Sequence, residues 1–207
     1  MGGTQADFVD DLVLTNIVSW EHHEAYKPPR YLCVYEEVLG SMPIRVLVEL
    51  GSGSGRSLNL FASRFPTARI VGIDLKKPEV PLKGNVEFIK ADVASLTEEQ
   101  LDRIGDRVDV VIDDASHLVG DVVSAFRRLF PRLASGGVYA IEDFGSFVNA
   151  PSMFEEGASS FTDNCVGLVK SFVSELAVWK RHRSRKTHET RISKMLLLPD
   201  LCLIWKR

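Results

Sequence analysis

Apolar positions along this chain recur with two periods, one near the 3.6 of a helix and one near the 2 of a half-buried strand. Asp7 to Val18 carries Phe8, Leu12, Val13 and Ile17 at helical spacing. Tyr31 to Leu39 repeats that pattern, and Lys27-Pro28-Pro29-Arg30 predicts an extended link between the two helices. Val46-Leu47-Val48-Glu49-Leu50 is a short, nearly continuous apolar run of the kind a buried parallel strand requires, and Arg56 to Phe65 reads as the following helix. Arg69 to Asp74, Asn85 to Lys90 and Val108 to Asp113 are three further strands, with helices between most of them. Leu118 to Leu133 is amphipathic and stops at Ala134-Ser135-Gly136-Gly137, a helix-ending signal that leads into a fifth strand, Val138 to Ile141. Phe161 to Trp179 returns to helical spacing, and Met195 to Leu198 and Leu201 to Trp205 read as two strands joined at Pro199-Asp200.

Strands that alternate with helices at this interval imply βαβ units, a parallel sheet and a ligand crevice at the carboxyl ends of the strands. At 207 residues the chain fits one domain. Its expected parts are N-terminal helices and a cap segment over 1–42, a ligand-binding core over 44–143, a lid over 144–160, and a final helix and strand pair over 161–207. The lid is expected because that stretch has no clear period and mixes Gly, Ser, Pro and Asn with Phe147, Met153 and Phe154.

A formal net charge of -3 argues against a polyanion binder, so nucleic acid is not expected as a partner. The basic tract Lys180-Arg181-His182-Arg183-Ser184-Arg185-Lys186 reads either as a solvated helix end or as a contact for an anionic group. Cys33, Cys165 and Cys202 are odd in number and set among apolar neighbours, which favours free thiols in a reducing compartment and therefore the cytoplasm. The first residues lack the charged and apolar regions of a secretion signal, and no apolar run approaches the ~20 residues that span a bilayer, so no membrane partner is expected.

Chemistry concentrates at the strand ends. The first strand runs into Glu49-Leu50-Gly51-Ser52-Gly53-Ser54-Gly55, whose glycines let the backbone turn tightly against a bound molecule. A dinucleotide fingerprint needs its third glycine where Arg56 stands, which disfavours a nicotinamide oxidoreductase, and no Gly-x-x-x-x-Gly-Lys-[Ser/Thr] phosphate loop is present. Asp74 closes the second strand 25 residues after Glu49, where a carboxylate can accept hydrogen bonds from both hydroxyls of a ribose.

The spacing resembles the Glu-x-Gly-x-Gly-x-Gly motif of class I methyltransferases that use S-adenosylmethionine (SAM). The resemblance implies a doubly wound, mostly parallel seven-stranded Rossmann-like sheet with a terminal antiparallel strand pair. It also implies a cofactor site of Glu49, Gly51, Ser52, Gly53, Gly55, Ser57, Asp74, Asp92, Val93 and Asp113. In that pattern Asp92 faces the adenine amino group and Val93 offers backbone and an apolar wall; taken alone, Asp92 would be a helix cap. Ser52 and Ser57 are candidates for the methionine end, with helix capping as the other reading of Ser57.

The fourth strand ends in Asp113-Asp114-Ala115-Ser116-His117 and the fifth in Ile141-Glu142-Asp143-Phe144. If the two strands are neighbours, as the class I order implies, Asp114, Glu142 and Asp143 can converge. Three close carboxylates repel unless a cation or protons intervene, and oxygen-only ligands favour Mg²⁺, with Mn²⁺ as substitute. The other reading is that paired acids cap the helices that follow. His117 reads as the base that takes a proton from an acceptor hydroxyl, with a structural histidine as the other reading.

Asp-Asp-Ala-Ser-His together with Ser-Gly-Gly-Val-Tyr-Ala-Ile-Glu-Asp-Phe resembles the metal-dependent sugar O-methyltransferases of macrolide and rhamnosyl natural products and their cephalosporin hydroxylase-like relatives. That family mostly has Gly where Ala115 stands. The resemblance implies an O-methyltransferase acting on a sugar hydroxyl of a glycoside, an oligosaccharide or polysaccharide precursor, or a glycosylated natural product. It also implies Mg²⁺ on Asp114, Glu142 and Asp143, and a homodimer or larger homo-oligomer. His22-His23-Glu24-Ala25-Tyr26 is loosely similar to a segment that covers the site in that family. A catechol-type acceptor, or a non-catalytic SAM-binding protein, is the alternative.

Overall fold

The computed structural model describes residues 27–144 and 191–207. Within them the chain runs α1 (Pro29–Leu39), β1 (Val46–Leu50), α2 (Arg56–Arg64), β2 (Arg69–Asp74), β3 (Val86–Lys90), α3 (Glu98–Ile104), β4 (Val108–Asp113), α4 (Val119–Leu129), β5 (Leu133–Glu142), β6 (Ile192–Leu198) and β7 (Leu201–Lys206). The strands form one seven-stranded sheet in the order β3-β2-β1-β4-β5-β7-β6. Strands β1 to β5 are parallel, and β7 runs antiparallel to both β5 and β6. This is the expected doubly wound sheet with a terminal antiparallel pair. The expected helix at Asp7 to Val18, the lid over 144–160 apart from Phe144, the helix at Phe161 to Trp179, the basic tract and His22, His23 and Tyr26 lie outside the described residues.

Because strand side chains alternate between faces, each strand feeds two cores. Val48, Leu50, Val111, Tyr139 and Ile141 join the buried cluster that contains α3 and α4 residues. Leu47, Ile70, Val110, Ile112, Val138 and Ala140 join Tyr31, Tyr35, Leu58 and Phe61 of α1 and α2 on the other face. Each of these fully buried aliphatic side chains stabilises the fold by about 1.5–3 kcal/mol relative to its exposed state. At the amino edge, the Asp109 carboxylate accepts from the backbone N–H of Arg45 and Val46 at 2.7 and 3.0 Å, which pins the entry of β1 beside β4.

Four features differ from the expectation. Lys27-Pro28-Pro29-Arg30 is not an extended link: Pro28 is the extended N-cap, and Pro29 opens α1 at a position where its missing N–H costs nothing. Helix α4 stops at Leu129 because Pro131 cannot continue it, and a short 3₁₀ turn, Phe130–Arg132, leads straight into β5. Ala134 to Gly137 are therefore not a helix stop but an irregularity inside β5, between the pairs Val108 with Leu133 and Val110 with Val138, and Gly136 adopts φ 79° there. Helix α3 has no counterpart among the expected elements, although Thr97-Glu98-Glu99-Gln100 spells its start. The Thr97 hydroxyl accepts from Gln100 N–H at 3.3 Å while the Gln100 side chain accepts from Thr97 N–H at 2.9 Å.

Candidate active site

The strand order places its topological switch between β1 and β4, and the glycine turn after β1 meets the acidic turn after β4 there. Gly51 N–H donates to the Ile73 carbonyl at 2.8 Å, and Asp114 N–H donates to the Leu50 carbonyl at 3.0 Å. Gly51 has φ 77°, and a Cβ at this position would lie 2.1 Å from the Asp114 carbonyl oxygen. Only a glycine lets the two turns approach this closely.

On the β2 side, the Asp74 carboxylate accepts from Gly53 N–H and Lys76 N–H, each at 2.8 Å, so it is tied to the glycine turn itself. Asp92 caps the 3₁₀ turn Val93–Ser95 by accepting from Ala94 N–H at 2.9 Å, and Val93 is buried. Ser52 is buried, and its hydroxyl has no hydrogen-bond partner among the described residues. A buried hydroxyl without a partner is costly, and it suits a site that takes a polar ligand. Gly55 is the N-cap of α2. Ser57 neither caps that helix nor faces open space, because its hydroxyl donates to Glu49 Oε2 at 2.7 Å.

Strand parity sorts the acids. Glu49 and Glu142 share the face of α1, whereas Asp113 shares the opposite face with Tyr139. The Asp113 side chain, expected among the cofactor contacts, is instead committed to this core: it is buried and accepts from the Tyr139 hydroxyl at 2.8 Å. Burial pushes its carboxyl up to about 7, against the opposing effect of the Tyr139 and Ala115 hydrogen bonds. An acid whose folded pKa is raised favours the fold while protonated. That contribution is complete below about pH 4 and disappears as the pH rises through about 7. The melting-temperature advantage of Asp113→Asn over the parent is thus expected to be larger at pH 8 than at pH 5. Equal differences at the two pH values would show that Asp113 titrates normally.

Glu142 is also drawn inward. Its Oε1 accepts from the Tyr35 hydroxyl at 2.7 Å and its Oε2 from the Lys27 ammonium at 2.9 Å. Lys27 further reaches Asp114 Oδ2 at 2.6 Å and Glu49 Oε1 at 3.0 Å, and it is 5% exposed. Burial would lower the pKa of this ammonium, but Glu49, Glu142 and Asp114 outweigh it and hold the pKa well above the ordinary lysine value. Burial pushes Glu142 the other way, up to about 8, despite the lysine. Three carboxylates facing one ammonium account for the raised lysine, and burial together with the Asp114 charge accounts for the raised Glu142.

The remaining ligating groups gather on the outer side of this cage. Asp114, His117 and Asp143 each offer an atom, and the three atoms lie within 4.8 Å of one another. His117 Nε2 is 3.8 Å from Asp114 Oδ1 and 3.6 Å from Asp143 Oδ2. His117 and Asp143 have φ 58° and 51°, and they are the only non-glycine residues with positive φ among the described residues. Left-handed backbone in such residues costs about 1–3 kcal/mol and gathers where geometry is used. Asp143 is held by Tyr31, whose hydroxyl lies 2.8 Å from Asp143 Oδ1, accepts from Asp143 N–H at 3.1 Å, and sits 2.9 Å from the Asp200 carbonyl in the β6–β7 turn. Two carboxylates and an imidazole at this spread suit a divalent ion, which would draw them in to about 2.1 Å.

The grouping brings together Asp114, His117 and Asp143 of the expected set and leaves Glu142 with Lys27. Lys27, Tyr31 and Tyr35 were missed as site residues. The available signal was their spacing: Tyr31 and Tyr35 stand one helical turn apart on a helix begun by Pro29, with Lys27 just before it. Among the described residues Cys202 is a buried free thiol, and no helix is long and apolar enough to cross a membrane.

Residues 45–193 match the family model of a methyltransferase domain. The chain is 30% identical over 193 residues to an 8-demethyl-8-α-L-rhamnosyl tetracenomycin-C 2'-O-methyltransferase of Streptomyces olivaceus, covering 86% of this chain and 50% of that protein. It is 34% identical over 152 residues to the 8-demethyl-8-(2-methoxy-α-L-rhamnosyl)-tetracenomycin-C 3'-O-methyltransferase of the same organism, covering 67% of this chain and 37% of that one. The chain thus spans half or less of the length of these relatives. Among solved structures it is similar to the MycE methyltransferase of the mycinamycin biosynthetic pathway in complex with Mg, SAH and mycinamycin VI. That match has 25% identity and a TM-score of 0.72, covering 95% of this chain and 53% of the other.

Proposed function

The chain belongs to the methyltransferase-domain family, and from that premise we propose that it is a SAM-dependent, Mg²⁺-dependent O-methyltransferase acting on a sugar hydroxyl of a glycoside, oligosaccharide or glycosylated natural product. The observation that carries this reading is the contact between two turns. The glycine turn after β1 lies against the turn that holds Asp114, and both non-glycine residues with positive φ among the described residues stand in the Asp114, His117 and Asp143 cluster. A cofactor seated on the first turn has its reactive end beside the second. The relatives named for rhamnosyl 2'- and 3'-O-methylation, and the neighbour solved with Mg and SAH, support the same assignment.

Gly51, Ser52 and Gly53 would receive the methionine end of SAM, Asp74 the ribose hydroxyls, and Asp92 with Val93 the adenine. SAM supplies an electrophilic methyl group, so the work left to the protein is to present an oxygen nucleophile. Asp114 and Asp143 would hold Mg²⁺, which lowers the cost of negative charge on a bound alcohol oxygen. His117, within 4 Å of both carboxylates, takes the hydroxyl proton. Glu49 acts indirectly, orienting Ser57 and Lys27 from below the turn. Cytoplasmic location and a homo-oligomeric assembly accompany this reading.

The test is turnover with a panel of rhamnosides, mannosides and catechols, with and without chelator. Methylation of glycoside hydroxyls that stops in EDTA and returns with Mn²⁺ is expected. Turnover confined to catechols would overturn the acceptor class, and full activity in EDTA would overturn the metal.

A further inference from the structure

We propose that Lys27 is a built-in competitor of the divalent ion: its ammonium occupies the inner half of the carboxylate cage, so that ion binding and the Lys27 contacts oppose each other. The inference rests on the metal reading above. Its basis is how the oxygens are shared out. Asp114 is split between Lys27 and His117, with Oδ2 2.6 Å from Lys27 Nζ and Oδ1 turned toward His117 Nε2 at 3.8 Å. Glu142 has no uncommitted oxygen, since Tyr35 donates to one and Lys27 to the other. Asp143 alone of the three expected ligands makes no contact with Lys27 and is turned outward by its positive φ.

Two consequences follow from charge alone. An ion bound through Asp114 and Asp143 stands one carboxylate away from a buried ammonium, and like charges at that separation in a poorly hydrated site raise each other's cost. An ion that also takes Glu142, completing the oxygen set that Mg²⁺ favours, competes with the Lys27 ammonium at Oε2 and with the Tyr35 hydroxyl at Oε1. Lys27 therefore lowers metal affinity while keeping the ion-free cage from flying apart.

The experiment measures Mn²⁺ binding by the loss of the free-ion EPR signal in the parent and in Lys27→Met. Lys27→Met is expected to bind Mn²⁺ at least about tenfold more tightly, because a unit positive charge has been removed beside the ion. Without ion it is expected to melt at a lower temperature than the parent, and Mn²⁺ is expected to close that gap. Equal or weaker Mn²⁺ binding by the variant would overturn the competition while leaving the metal site standing. No Mn²⁺ binding by either protein would overturn both. A second measurement needs no variant: reductive methylation of the parent followed by mass spectrometry is expected to spare Lys27 without ion and to label it in millimolar Mn²⁺. Labelling that Mn²⁺ does not change would count against the proposal even if Lys27→Met does not fold.

Discussion

His117→Ala is expected to lower kcat for methyl transfer by about 10²–10⁴-fold, the usual worth of a positioned general base, with SAM affinity unchanged. The reason is location. His117 follows β4 by four residues and sits beside Asp114 and Asp143, whereas the residues assigned to SAM lie on the turns after β1, β2 and β3. The same variant separates the two roles open to an imidazole in this cluster. If His117 is the base, Mn²⁺ affinity survives the substitution; if it is a ligand, Mn²⁺ affinity falls along with turnover. Titration with SAM by calorimetry and with Mn²⁺ by EPR, alongside kinetics, reads all three quantities. Unaltered turnover would remove the base assignment.

The glycine turn supplies the second large effect, and a pair of variants exposes it. In Gly51→Ala the new methyl would stand 2.1 Å from the Asp114 carbonyl oxygen and 2.6 Å from Ala115 Cα, on a backbone with φ 77°. Neither obstacle can yield without moving the turn that carries Asp114. A loss of roughly 3 kcal/mol or more is expected, and hence a fall in Tm on the order of 6–12 °C for a chain of this size. Gly53→Ala is the contrast. Gly53 has φ 50°, but a Cβ there meets nothing within 4 Å, so only the backbone strain of about 1 kcal/mol remains. Its methyl enters the open space over the turn, and calorimetry is expected to show weakened SAM binding in a protein that melts close to the parent. A stable Gly51→Ala protein, or a Gly53→Ala protein with parental SAM affinity, would contradict this account of the turn.

Much of this was legible before any coordinates. Every strand within the described residues is expected from its apolar pattern, most plainly the inner parallel strands β1, β2 and β4, which are buried on both faces and have to be apolar almost throughout. The less accurate boundaries share a cause. Pro29 and Pro131 can each be read as a linker or as a helix terminus, and what decides is which backbone N–H groups need partners in the folded chain. Gly136 fits a helix stop in the sequence and sits in a strand irregularity in the fold, since positive φ serves both.

The acids show where reading the chain stops. Their order, Glu49, Asp74, Asp92, Asp113, Asp114, Glu142, Asp143, is written in the sequence, and so is their arrival at one edge of a parallel sheet. Which way each carboxylate turns is not written there. Asp113 and Asp114 differ by one step of a strand, and that step sends one into the core against Tyr139 and leaves the other in the site. Glu142 and Asp143 repeat the division, with Tyr35 and Lys27 taking the first and the Tyr31 hydroxyl the second. Sequence alone determined the sheet, the glycine turn and the inventory of charged groups, because these depend on periodicity and on residues acting within a few positions of one another. Tertiary structure decided that a lysine 87 residues from Asp114 and 115 from Glu142 lies among their carboxylates. A buried charge takes the partner that folding places within about 3 Å of it, and no local pattern records that distance.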